Sequence, residues 1–328
     1  MEKKNIAVVY GGDSSEIVVS RKSAQGVLSF IDNSKYNTVA VLITLEKWVA
    51  ESDGKEYPID KNDFSFTKDG KKVVFDCAYI TIHGTPGEDG RLQGYFDMLN
   101  IPYSTCGVFA ASLTFNKFAC NTYLKGFGVS VADSLLIRKG TDYAGENIAD
   151  KLSLPVFIKP NAGGSSFGIS KAKTVEEIEP AILKAFEESN EVIIESFIDG
   201  HEFTCGLYKT PEKECVFPIT EVIPANEFFD FEAKYNAEKA QEITPARLPQ
   251  ETTDRIQKIT SLIYDILGCK GIARIDYMLS DNKIFLLEVN TTPGMTPTSF
   301  IPQQIKAAGL DIKDVFTDII EDSINRAK

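Results

Sequence analysis

Two short runs near the C-terminal end of the chain alternate apolar and polar positions with the period of half-buried strands: Gly271-Ile-Ala-Arg-Ile-Asp-Tyr-Met-Leu279 and Ile284-Phe-Leu-Leu-Glu-Val-Asn290. Ala273, Ile275, Tyr277 and Leu279 fall on one face of the first, and Phe285, Leu287 and Val289 on the equivalent face of the second. Arg274, Asp276, Glu288 and Asn290 are left on the opposite faces. With Asp281-Asn282-Lys283 as a three-residue hairpin loop, the register sets Asp276 opposite Glu288 and Arg274 opposite Asn290. A slip of one residue would turn these charges into the core.

The same periodicity predicts alternating strands and helices from residue 5 to about 107. Asn5 to Tyr10 reads as an apolar strand ending in Gly11-Gly12, and a helix follows with Ile17, Ala24, Val27, Leu28 and Ile31 on one face and Asp13 or Ser14 as its cap. Strands recur at Thr38 to Thr44 and Ala78 to Ile82, the latter running into His83-Gly84. This is the pattern of an α/β fold on a parallel sheet, with ligands expected beyond the C-terminal strand ends. A second unit, 108 to 198, holds a helix around Leu113 to Phe127, a strand Pro155 to Lys159, a Gly/Ser loop, a helix Val175 to Phe186 and a strand Val192 to Phe197. The third unit, 199 to 328, carries the hairpin and a helix Thr253 to Leu267, whose stripe is Ile256, Ile259, Ile263 and Ile266 or Leu267 and whose stop is Gly268. Between a strand near Val216 and that helix, 226 to 250 has no clean periodicity, and a connection that long in a compact chain is more often functional than idle.

A length of 328 residues fits two or three domains, and 43% hydrophobic with 25% charged residues is the balance of a soluble globular protein. The net charge of -12 argues against nucleic acid or an anionic membrane as partner, because either demands an extended basic surface. Six scattered cysteines and only two histidines suggest neither a disulfide framework nor a zinc site, and read as reduced thiols in a cytoplasmic protein. The chain starts straight into a strand, and no stretch approaches the length of a membrane span.

Charge then changes the reading of the hairpin. Like charges facing across a sheet are destabilising, and two carboxylates with an amide oxygen are a donor set for a hard divalent cation such as Mg²⁺. On these two strands alone, a solvated face bearing unrelated charges reads equally well. Lys159-Pro-Asn-Ala-Gly-Gly-Ser-Ser-Phe-Gly168 supplies a cation, flexible backbone and two hydroxyls, Ser165 and Ser166, after an apolar strand. Such a loop closes on phosphate oxygens, although it lacks the Walker pattern and alone reads as readily as a plain turn. Glu195-Ser196-Phe197-Ile198 can offer backbone groups to a purine edge, with Glu202 accepting from ribose hydroxyls. Surface acids at a strand end are the simpler reading of those two residues taken alone.

Taken together, Val9-Tyr-Gly-Gly-Asp-Ser-Ser-Glu16, His83-Gly-Thr-Pro-Gly-Glu-Asp-Gly90, Lys159 through Gly168, Glu232-Ala-Lys-Tyr235, Arg274-Ile-Asp276 and Glu288-Val-Asn-Thr-Thr-Pro-Gly294-Met resemble, in order and spacing, the D-alanine:D-alanine ligases of the ATP-grasp superfamily. The resemblance runs from about residue 5 to 325. It implies an N-terminal, Rossmann-like substrate-binding domain (1–107), followed by a two-part α+β ATP-grasp domain: a central part (108–198) and a C-terminal catalytic part (199–328) with a lid loop at 226–250. It implies ATP as cosubstrate and two Mg²⁺, with Mn²⁺ as alternative, on Asp276, Glu288 and Asn290. Two D-alanines would be joined through an acyl phosphate to make a peptidoglycan precursor. A homodimer is the expected assembly.

By resemblance, Lys117 and Lys159 contact phosphates, and Arg274 and the backbone N–H of Gly294 stabilise an oxyanion. Glu16 holds the first substrate's ammonium, although without the resemblance it reads as an acid at a helix start. His83 lies near that substrate's carboxylate, although a lone loop histidine is usually incidental. Lys234 and Tyr235 cap the nucleotide, and Tyr235 bonds Ser165 and Glu16. Ser299 meets the product's terminal carboxylate. Three positions depart from the pattern: Ile17 where some relatives have a basic residue, Asn161-Ala-Gly where a more polar sequence is usual, and Phe300 where leucine is expected, against the second-substrate pocket. Close alternatives are ligases that make D-alanyl-D-serine or D-alanyl-D-lactate, with Tyr235 speaking against lactate; a nucleotide-binding protein without turnover is a third.

Overall fold

Ile6, Val8 and Tyr10 point to one side of the strand Lys4–Gly11 and Ala7 and Val9 to the other, and both sides are buried, which is why the strand reads as an unbroken apolar run. The structure, a computed structural model, describes residues 3–14, 16–164, 168–224 and 240–326. Ser165, Ser166, Lys234 and Tyr235 lie outside the described residues, as does most of the segment expected to form a lid.

Lys4–Gly11 is parallel to Tyr36–Ile43 on one side and to Cys77–Ile80 on the other, as the sequence predicts. The sheet continues past Tyr36–Ile43 through four antiparallel strands that periodicity did not reveal: Trp48–Ser52, Lys55–Asp60, Ser65–Lys68 and Lys71–Val73. Two of their turns are Asp53-Gly54 and Asp69-Gly70, with φ of 51° and 71° in the first and 50° and 75° in the second. These are the dipeptides that two-residue hairpins favour. One face of the sheet is covered by the helix Ile17–Phe30 and by Ile312–Arg326 from the far end of the chain, whose Phe316 stacks on Tyr79 at 5.1 Å and 16°. The first strands and the last helix thus share one core. Neither Asp13 nor Ser14 caps Ile17–Phe30: Asp13 accepts from the Leu45 N–H at 2.9 Å and Ser14 from the Glu16 N–H at 3.2 Å.

The second sheet is antiparallel, in the order Ser170–Ala172, Val156–Pro160, Glu191–Ser196, Ser134–Arg138. Ile148, Leu152, Ile178 and Ile182 pack it from the helices Gly145–Leu152 and Ile178–Ala185. The single helix expected over Leu113 to Phe127 is two, Val108–Phe115 and Lys117–Lys125, because Asn116 adopts φ -92° and ψ 97° and caps the second through the Ala119 N–H. The turn at Val175–Glu177 is 3₁₀, closed by a capping box with Thr174.

In the third sheet His201–Thr210 lies between Thr220–Pro224 and Ala273–Ser280. The strand Ala240–Ile243 pairs with Thr220–Pro224, so the irregular segment ends in a sheet rather than a loop. The helix Gln250–Leu267 buries Ile256, Ile263 and Leu267 as expected, with Thr260 and Tyr264, and stops at Gly268 with φ 62°.

At the C-terminal hairpin the predicted pairs hold: Asp276 faces Glu288 and Arg274 faces Asn290. The route differs. Ser280 pairs with Lys283, so the turn is the two residues Asp281 and Asn282, both at positive φ, and a bulge between Asp276 and Tyr277 restores the lost residue. Ile284, Leu286 and Val289 therefore enter the core, and Leu287 turns toward the site. The sequence expectation for Phe285 and Leu287 fails because a bulge changes the parity of a strand.

Candidate active site

Elements from all three sheets converge on a cavity of about 500 Å³. Of the candidate residues, Glu16, Lys117, Lys159, Glu195, Ser196, Ile198, Glu202, Asp276 and Glu288 line it. One region is apolar, walled by Ala132, Phe157, Ile169, Ile198, Met278 and Leu287. Phe197 is not among the lining residues: its ring packs on Phe157 at 5.9 Å and lies under the Lys171 ammonium at 3.9 Å. The Phe197 and Ser196 N–H groups already donate to Pro155 and Asp133, and the Ser196 hydroxyl to Leu152, so none of the three is open to a ligand.

Lys159 leaves its strand toward Glu195 on the neighbouring one, with 2.5 Å between ammonium and carboxylate, and Asn121 donates to the other Glu195 oxygen at 3.0 Å. Burial alone pulls the Lys159 ammonium toward neutrality, but Glu195, with Glu288 and Glu202, more than offsets it and raises its pKa. Lys117 donates to the Gly163 carbonyl at 2.6 Å and stands 3.9 Å from Glu288. Two half-buried cations thus flank the loop that follows Lys159.

Asp276 is held by four donors: Arg274 Nε and Nη2 at 2.9 and 2.8 Å, Asn290 Nδ2 at 3.1 Å and the Thr204 hydroxyl at 2.5 Å. The carboxylate pair is therefore not justified by a metal alone, since the guanidinium two residues back on the same strand neutralises Asp276. Burial works against the charge on Arg274, and Asp276, Glu288 and Glu202 outweigh it, raising its pKa. Among the described residues no three His, Cys, Asp or Glu side chains gather as a metal cluster. The donor set is two carboxylates and the Asn290 amide, whose nitrogen is turned to Asp276, and hard oxygens of this kind fit Mg²⁺.

At the other end the Glu16 carboxylate is wedged between two glycines. A methyl group on Gly164 would lie 2.7 Å from Oε1, and one on Gly84 would lie 3.2 Å from Oε2. Glu88, not singled out from sequence although it lies inside the His83 motif, accepts the Gly84 N–H at 2.7 Å. Burial and the neighbouring Glu16 charge push its pKa up to about 8. His83 is buried, with Nε2 3.1 Å from the Ser23 hydroxyl, which also accepts the Met295 N–H at 3.3 Å. Ser23, a second residue missed from sequence, thereby joins His83 to the loop after Gly294. Ser299 is turned into its own loop, 2.8 Å from the Thr296 hydroxyl, and the Phe300 ring lies 5.3 Å from the Arg274 guanidinium.

Burial and the Arg274 charge lower the His83 pKa from 6.5 to about 4. The folded state favours the neutral ring, so its contribution to stability is full above pH 6.5 and is lost as pH falls toward 4, a difference of about 3 kcal/mol. His83→Asn is expected to flatten the loss of stability between pH 7 and pH 4.5. Denaturant titrations at the two pH values check this, and equal losses in both proteins would disprove it.

Family models match in two parts: D-ala D-ala ligase N-terminus over residues 5–106, and D-ala D-ala ligase C-terminus over 123–321. The chain is 64% identical over 321 residues to the D-alanine--D-alanine ligase of Phocaeicola vulgatus, covering 97% of this chain and 99% of that one. Among solved structures, a D-alanine--D-alanine ligase from Bacillus anthracis complexed with ATP superposes with a TM-score of 0.78 at 30% identity, over 99% of this chain and 98% of the other. The D-Ala:D-Ser ligase VanG from Enterococcus faecalis superposes with a TM-score of 0.85 at 30% identity, over 100% of both. The charged cavity at the meeting of three sheets, the ordered motifs and these matches along almost the whole length place the chain in the D-alanine:D-alanine ligase family, within the ATP-grasp superfamily.

Proposed function

We propose that the protein joins two D-alanines to D-alanyl-D-alanine at the expense of ATP, and the observation that carries this is the gathering of Glu16, Lys117, Lys159, Asp276 and Glu288 around one cavity with an apolar end. A carboxylate is a poor electrophile, so the first D-alanine carboxylate takes the γ-phosphoryl group and becomes an acyl phosphate, releasing ADP. The amine of the second D-alanine then attacks that carbonyl, and collapse of the tetrahedral intermediate expels phosphate. The apolar wall around Phe157, Met278 and Leu287 suits a purine, and Lys117 and Lys159 suit the phosphates. Glu16 suits the first substrate's ammonium, while Arg274 and the Gly294 N–H suit the oxyanion. Mg²⁺ on Asp276, Glu288 and Asn290 would neutralise charge on the β- and γ-phosphates.

His83 is neutral near pH 7 and so meets the first substrate's carboxylate as a hydrogen-bonding group rather than a charge. The Phe300 ring, packed near Arg274, would line the acceptor side. The reading keeps domain limits at 107 and 198, supported by three separate sheets, with the last helix returning to the first unit's core. A homodimer, a cytoplasmic location and a place in peptidoglycan precursor synthesis complete the reading; among the described residues no helix is long and apolar enough to cross a membrane.

The 64% identity to a D-alanine--D-alanine ligase favours D-alanine over D-serine as acceptor, against 30% to the D-Ala:D-Ser ligase. Phosphate release from ATP is expected to require D-alanine, and product mass from a mixture of D-alanine, D-serine and D-lactate is expected to be that of D-alanyl-D-alanine. A dominant mixed product would move the protein to a sister activity. ATP binding with no D-alanine-dependent phosphate release would leave a nucleotide-binding protein without turnover.

A further inference from the structure

Asn161 occupies the first position after Lys159-Pro160, where the chain departs from the usual motif, and it is fully buried rather than directed at the cavity. Its backbone carbonyl accepts the Lys117 N–H at 3.0 Å and its side-chain oxygen accepts the Phe118 N–H at 2.8 Å. These are the first two amides of the helix Lys117–Lys125, which have no partner within the helix. Its Nδ2 donates to the capping oxygen of Asn116 at 2.9 Å and to Glu191 at 2.8 Å, and its own N–H donates to the Glu191 carbonyl at 2.9 Å. Arg138 holds the other Glu191 oxygen at 2.9 Å. Every donor of Asn161 is thus used, and both lysines that flank the loop are tied to it: Lys159 two residues before it in the chain, and Lys117 through the helix start it fastens.

We propose that Asn161 is a positioning residue for ATP, a buried latch that fixes the Lys117 ammonium relative to the Lys159 loop. The proposal rests on the reading of the two lysines as phosphate contacts. A leucine, branched alike but bulkier and without polar atoms, leaves the Phe118 amide without its acceptor and takes one of two donors from the Asn116 cap oxygen, so the helix start loses its fixed place on the loop.

Asn161→Leu is expected to raise KM for ATP about tenfold, as losses of groups that orient ligand-contacting residues do, with KM for D-alanine within about twofold of wild type. A merely structural role would lower the active fraction, and hence kcat, and leave KM for ATP unchanged. Asn161→Asp keeps the acceptor for Phe118 but sets a carboxylate against Glu191; Asn161→Asp with Glu191→Gln restores a donor there and is expected to recover most of the ATP affinity, read by equilibrium binding of ATP without D-alanine. Lys117→Met separates the two ideas. If it leaves KM for ATP unchanged, the phosphate-lysine reading fails and the latch falls with it. If it raises KM while Asn161→Leu does not, or if the double variant binds ATP no better than Asn161→Asp, the latch alone is overturned.

Discussion

Glu288→Gln is expected to reduce ligation about a thousandfold, the loss of several kcal/mol of charge stabilisation, while thermal stability of the metal-free protein stays the same or rises slightly. The two effects have opposite origins. Glu288 sits directly across from Asp276, and like charges so placed repel. Its side chain is about a quarter exposed and lies 3.9 Å from the Lys117 ammonium, a separation at which an ion pair contributes little to stability. Asp276 differs, being anchored by Arg274, Asn290 and Thr204. Glutamine keeps the shape and one acceptor oxygen but removes the charge that a divalent cation needs. Added Mg²⁺ is expected to raise the melting temperature of the wild type and not of the variant. Full turnover by Glu288→Gln, or by wild type after exhaustive chelation, would remove the metal site from this hairpin.

That hairpin also marks how far the sequence could be read. Alternation fixed which residues of Ala273–Ser280 face the site, and the pairing of Asp276 with Glu288 followed. The bulge at Leu287 did not follow, because a shorter turn plus one inserted residue gives the same pairing at the charged end as a longer turn without it. The near half of Lys283–Asn290 therefore faces opposite to what plain alternation predicts. The signal was present in Asp281-Asn282, two residues suited to positive φ. Asp53-Gly54 and Asp69-Gly70 carry the same signal for two hairpins that periodicity does not reveal, since strands such as Lys71–Val73 are too short and too polar to show alternation.

Other features depend on distant parts of the chain and have no local signature. Phe316, in the last helix, packs on Tyr79 of the first sheet, more than 200 positions away in the chain. Ser23 bonds His83, 60 positions on, and Met295, 272 positions on, and nothing around it in the sequence marks either contact. Asn116 is the exception. An asparagine at the head of a helical run is a cap by its chemistry, and it divides one expected helix into two.

Arg274→Lys is expected to lower kcat about a hundredfold to a thousandfold with only a small change in KM for ATP, as loss of a group that acts mainly on the developing oxyanion does. The guanidinium has three fixed relations: two parallel hydrogen bonds to Asp276 and a place 5.3 Å from the centre of the Phe300 ring. That fork leaves its remaining N–H directions set before substrate arrives, so no reorganisation is required when negative charge forms. Lysine retains the positive charge and one contact to Asp276, but it has no plane to stack and no second bond to fix its angle. Arg274→Met is expected to do something different, costing about 3 to 5 kcal/mol of stability because Asp276 is left buried with its charge uncompensated. Comparing the two separates charge from geometry. A lysine variant near wild-type kcat would mean that charge alone suffices, and the oxyanion role would pass to backbone donors such as the Gly294 N–H. A methionine variant as stable as wild type would mean that the Arg274 guanidinium is not what holds Asp276 in the fold, and that Asn290 and Thr204 suffice.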